Sequence, residues 1–151
     1  MHLTKALALS CCYFFITGFS VDNPLHVLPD FSMKIIESGQ YNDVGDRIDD
    51  SAIIKAKIGA RFGFYYQTTP LPEGEIRFLE YVTIHPPIFS DDGKSIKTTI
   101  MPIAKPSING MIFSGASFSF QSPSDLMPGT WRIEVRCGGK TMLFRDFLIM
   151  Q

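Results

Sequence analysis

The sequence predicts an all-β domain, two antiparallel sheets packed face to face, and three observations point there. Apolar residues recur with period two along several segments of the 151-residue chain. Pro, Gly, Asn and Asp punctuate those segments at short intervals. No segment carries a convincing helical period. Short strands with one apolar face each bury that face by stacking sheet on sheet, and one domain accommodates this length.

The elements follow in order. Residues 1–20 read as a signal peptide: Lys5 supplies positive charge, Ala6 to Phe19 is an apolar run, and Gly18 and Ser20 are small enough for a cleavage site. The run is shorter than the ~20 residues a spanning helix needs, so no membrane span is expected in residues 21–151, the single β domain. Pro24 and Pro29 mark an extended lead-in, and Met33 to Gly39 reads as the first strand. Asn42 to Ser51 is a polar loop. Ile54, Ala56, Ile58, Ala60, Phe62, Phe64 and Tyr66 then alternate with Lys55, Lys57, Gly59, Arg61, Gly63 and Tyr65, which predicts one long strand.

Pro70, Pro72 and Gly74 make a turn, and Glu75 to His85 is a strand with Ile76, Phe78, Val82 and Ile84 on one face, ended by Pro86-Pro87. Ser90-Asp91-Asp92-Gly93 turns the chain into a short strand, Ile96 to Ile100, that stops before Pro102 and Pro106. Across Met111 to Phe120 the apolar parity shifts from Met111 and Phe113 to Ala116, Phe118 and Phe120, which predicts a β-bulge at Gly115. Trp131, Ile133, Val135 and Cys137 alternate with Arg132, Glu134 and Arg136. Gly138-Gly139 permits positive φ at both turn positions, and Thr141 to Met150 returns as the partner of a hairpin. The reading gives about seven strands. Leu126 to Trp131, with its Pro128-Gly129 turn leading into an aromatic, resembles the corner of immunoglobulin-like sandwiches, with Trp in place of Tyr.

Composition restricts function. Cleavage after Ser20 leaves 13 basic and 15 acidic residues, a net charge of −2, which gives polyanions no attraction, so no nucleic acid partner is expected. It also leaves Cys137 as the only cysteine, so core packing rather than a disulfide has to hold the fold. The leader predicts a periplasmic or secreted protein.

Ile35-Ile36-Glu37-Ser38-Gly39-Gln40-Tyr41, Ile58 to Phe64, His85-Pro86-Pro87, Pro128 to Val135, and Gly139-Lys140 with Phe147 together resemble the bacterial family named domain of unknown function 3859. The resemblance spans Met33 to Ile149 and implies an immunoglobulin-like antiparallel β-sandwich. It implies no activity and carries over no functional residue.

The candidate binding residues are Arg61, Tyr81 and His85. His85 follows Tyr81 at a strand end beside a rigid turn, where an imidazole can serve as a ligand or an acid/base group. Arg61 sits between Gly59 and Gly63, where absent side chains leave room for a planar group or for a neighbouring strand. Lys55, Lys57 and Arg61 with Arg132 and Arg136 would form a basic stripe if their strands were neighbours. Asp43, Asp46, Asp49 and Asp50 lack the order of a calcium loop. His26, His85 and Cys137 are too scattered for a transition-metal site, so no metal is expected.

No G-x-S-x-G is present, and Gly138-Gly139 opens no helix, so no catalytic residue and no cofactor are expected. The leading expectation is a non-catalytic binding or interaction module of the bacterial envelope, its partner an unidentified protein or small ligand. The alternatives are an envelope hydrolase using His85, and a chaperone-like protein pairing through a sheet edge, with the first strand around Ile35 as the candidate.

Overall fold

The computed structural model describes residues 31–89 and 92–151. The leader, the lead-in and the start of the Ser90–Gly93 turn lie outside the described residues.

Among the described residues nine strands form two sheets: β1 (Met33–Tyr41), β2 (Arg47–Asp49), β3 (Ile53–Lys55), β4 (Arg61–Thr68), β5 (Ile76–Phe89), β6 (Ser95–Pro106), β7 (Phe113–Ser119), β8 (Gly129–Cys137) and β9 (Lys140–Met150). One sheet has the order β2-β1-β4-β7 and the other β3-β9-β8-β5-β6. Every pairing is antiparallel except β3 with β9. The seven long strands are those the periodicity announces. β2 and β3 are three-residue additions.

The predicted long strand is in fact two. After Lys55 the chain leaves the five-stranded sheet, turns at Gly59 with φ +83°, and enters the other sheet at Arg61. The turn is closed by Ala60 N–H on Lys57 O at 2.9 Å. Parity survives because Ile54 faces inward from one sheet and Phe62, Phe64 and Tyr66 from the other, all at 0–1% exposure. Ile58, in the turn, is 46% exposed.

The prolines are the second correction. β5 runs through Pro86-Pro87, which sit where the register with β6 slips between Ile84 and Ile88 and where the β8 pairing has already ended at Ile84–Arg132. A missing N–H costs nothing at such a place. β6 likewise continues through Pro102 and Pro106, because it is the edge of its sheet and one side of it needs no donors.

Two face assignments also change. On β5 the inward residues are Leu79, Tyr81, Thr83 and His85, at 2–8% exposure, whereas Ile76 and Phe78 are 56% and 76% exposed. The polar inward residues disguised the face. On β7 no bulge occurs at Gly115, since the register with β4 is unbroken from Ser119 to Phe113. Ile112, Ser114, Ala116 and Phe120 all face inward, and the apparent parity shift arises because a serine occupies one inward position. Gly115 instead makes room for Tyr65, whose ring lies 3.0 Å from where a Cβ would be.

Trp131 anchors the core. It is fully buried, with Phe62, Phe118 and Phe120 at ring separations of 6.0, 5.0 and 5.4 Å. Contacts of this kind add about 0.5–1.5 kcal/mol each beyond the area they bury. Its indole N–H donates to the Met127 carbonyl at 2.9 Å, so the corner bond is made with Trp in place of Tyr. The β8–β9 hairpin turns on Gly138 and Gly139, at φ +57° and +77°, as the dipeptide requires. Cys137, at its tip, is half-buried, and burial pushes its thiol above the ordinary range.

Candidate functional site

Tyr81 on β5 hydrogen-bonds Ser114 on β7 at 3.0 Å, so these two strands face one another across the interior. β6 pairs with the far side of β5 and therefore lies beyond the last strand of the opposite sheet. The sandwich is open there. A cleft of about 550 Å³ runs between β7 and the β5–β6 hairpin, within the usual range for ligand sites. Arg61 on β4 and Tyr81 and His85 on β5, from different sheets, all line it.

His85 is 5% exposed and lies against Trp131, ring centroids 4.8 Å apart and planes 30° apart. Its Nδ1 is 2.7 Å from the Pro86 carbonyl oxygen, which only accepts, so Nδ1 carries the proton. In the neutral ring Nε2 is then the acceptor His85 can offer. Pro86 is itself seated against the start of β8, where a Cβ on Gly129 would come within 3.0 Å of its ring.

Tyr81 contributes its ring rather than its hydroxyl. The hydroxyl lies 3.0 Å from both Tyr66 Oη and Ser114 Oγ, a chain of three buried hydroxyls. Burial and the bond to Tyr81 raise the Tyr66 phenol well above its ordinary value.

Arg61 opens β4, on the face opposite Phe62 and Phe64. Its side chain runs toward β7, where Nε donates to Ser117 Oγ at 3.0 Å. No carboxylate among the described residues pairs with its guanidinium. Asp125, also on the cleft, accepts instead from the backbone N–H groups of Gln121 and Ser122, both at 2.9 Å. The space expected above Gly63 is filled: a Cβ there would meet Ala116 O at 2.2 Å, so the glycine admits the β7 backbone.

Thr83 and Thr99 add hydroxyls, and Ile88, Ile96, Met101, Phe118 and Ile133 add apolar surface. Sequence reasoning missed these residues. Thr83 was within reach, since it shares the Tyr81–His85 face, but Phe118, Ile96 and Met101 depend on which sheet edges meet.

Other expected groupings do not form. β4 and β8 are in different sheets, so Arg61 and the pair Arg132 and Arg136 make no stripe. Arg132 forms a two-bond pair with Asp146 at 2.7 and 2.9 Å, which holds the Asp146 carboxyl below its ordinary range. Arg136 is paired with Glu134 at 2.7 Å. Two of the loop aspartates are engaged locally: Asp46 accepts from Asn42 Nδ2 at 3.3 Å and Asp49 from Ser51 N–H at 2.8 Å. Among the described residues no set of three His, Cys, Asp or Glu could hold a metal ion, and no helix is long and apolar enough to cross a membrane.

Comparison with known proteins agrees with the architecture. An immunoglobulin-like protein from Pseudomonas aeruginosa superposes with a TM-score of 0.65 at 21% identity, covering 80% of this chain and 97% of that one. At that identity the likeness shows the fold alone. An alkylpurine DNA glycosylase from Pseudomonas fluorescens, bound to DNA containing an abasic site analog, reaches a TM-score of 0.48 at 9% identity over 80% of this chain and 30% of that one, and carries no argument. No curated protein matches. The model of one family matches residues 14–149, nearly the whole sequence, and the chain belongs to that family, domain of unknown function DUF3859.

Proposed function

We propose that the chain is an exported, non-catalytic binding module of the bacterial envelope, periplasmic or secreted, whose ligand sits in the cleft between β7 and the β5–β6 hairpin. The observation that carries the reading is the meeting of Arg61, Tyr81 and His85 in one open cleft that sets guanidinium, imidazole and hydroxyl groups beside apolar side chains, as a recognition site does. The leader-like residues 1–20 support export. The binding role is favoured over hydrolysis because, among the described residues, no Ser, Thr or Cys nucleophile and no carboxylate is hydrogen-bonded to His85.

The test compares full-length chain with an Arg61→Ala, Ser119→Trp double variant that fills the cleft, both as bait for crosslinking in an envelope extract. A control carries Phe144→Ser, an exposed residue of β9 that does not line the cleft. The reading expects a saturable ligand retained by the control and lost by the cleft variant. A ligand captured equally by all three would refute it.

A further inference from the structure

Free sheet edges are ordinarily protected by charge, proline, bulges or shortness, because unpaired N–H and C=O groups otherwise recruit another strand. Most edges of this sandwich follow the rule. β2 and β3 are three residues long and carry Arg47, Asp49 and Lys55. β1 beyond the reach of β2 has Lys34, Glu37 and a register break between Ile35 and Glu37. β9 before β3 begins has Lys140, Arg145 and Asp146. β6 has Lys97, Lys105, Pro102 and Pro106. β7 is different. Its seven residues, Phe-Ser-Gly-Ala-Ser-Phe-Ser, include no charge and no proline, and its register with β4 has no bulge. This unprotected edge opens on the cleft.

We infer that the cleft takes an extended segment of a partner protein, added as a strand to the outer edge of β7, with apolar and acidic residues in alternation. The inference rests on the cleft reading above and supplies its ligand class. Main-chain bonds to β7 would provide affinity and side-chain alternation the specificity. Phe118 faces inward and Ser117 and Ser119 face the other way, so the side chains of an added strand divide in the same manner. One set continues the Phe118 face over Ile88, Ile96 and Met101. The other passes beside Arg61, whose guanidinium has given only Nε, to Ser117, and fits a carboxylate. Asp125 shares the cleft, but its carboxylate already serves two backbone N–H groups beyond the end of β7. The first strand, expected to be the pairing edge, is occupied along one side by β4 and partly by β2 on the other.

The experiment uses full-length chain and a capped seven-residue peptide alternating Val and Glu, with backbone hydrogen exchange as the readout. Two N-methylated versions, one for each edge of the peptide, and a Lys-for-Glu version accompany it. The expected result is saturable binding with slowed exchange at Phe113–Ser119. One N-methylated peptide should bind at least tenfold more weakly than the other, and Arg61→Gln should erase the preference for Glu over Lys.

No binding of the Val-Glu peptide, equal binding of both N-methylated peptides, protection at β6 instead, or self-association of the chain through β7 would each overturn the inference. A small dicarboxylate such as glutarate that perturbs the Trp131 indole signal without protecting β7 would remove strand addition while leaving the cleft reading in place.

Discussion

Tyr81 joins the core to the cleft, because its ring lines the opening while its hydroxyl bridges Tyr66 and Ser114 behind it. A buried hydroxyl left without a partner costs about 1–3 kcal/mol. Tyr81→Phe leaves two such groups without a partner, whereas Ser114→Ala removes one bond and leaves Tyr81 still paired with Tyr66, so Tyr81→Phe should lower the urea midpoint more, with a loss of about 2 kcal/mol or above against about 1. Equal losses would mean that the hydroxyl chain is not cooperative. Tyr81, Arg61 and His85 were legible as candidates because residue chemistry and strand position single them out. Which atom each presents was not, since that depends on Ser114, Ser117 and Pro86, brought close by folding. Tyr41 shows the same limit. Its hydroxyl is buried without a partner and its phenol is pushed up to about 12, chiefly by burial with Glu37 and Tyr65 adding, and nothing local in its sequence announces this.

At the scale of elements, period two located every long strand, and the errors share a cause. Alternation reports a buried face without naming the sheet that buries it, so β3 and β4 read as one strand across the Gly59 turn. Hydrophobicity also misreports a face whose inward residues are partly polar, as with Thr83 and His85 on β5 and Ser114 on β7. Gly63 and Gly115 look equivalent in sequence and are not. A Cβ at Gly63 meets backbone at 2.2 Å, whereas one at Gly115 meets the Tyr65 ring at 3.0 Å, which can tilt away. Gly63→Ala should therefore destabilise by about 1–3 kcal/mol and speed amide exchange along β7, with Gly115→Ala milder. Thermal melts and hydrogen exchange of the two variants check the order, and the reverse order would contradict the assigned β4–β7 register.

At the scale of the whole molecule, the cleft follows from unequal sheets. Five strands face four, β6 has no strand opposite it, and the inner side of the β5–β6 hairpin is left as a wall beside the β7 edge. The sandwich itself was readable from short alternating strands and turn residues. The cleft was not, because strand order across two sheets is set by long-range pairing that no local pattern encodes.

The single tryptophan of the chain reports directly on that cleft, since Trp131 lies under it against both His85 and Phe118. The measurement that bears most directly on the account is the Trp131 indole N–H resonance during titration with the captured ligand or the Val-Glu peptide. The account predicts a saturable shift that Arg61→Gln weakens severalfold. Saturable binding with an unmoved indole signal would place the ligand elsewhere and contradict it.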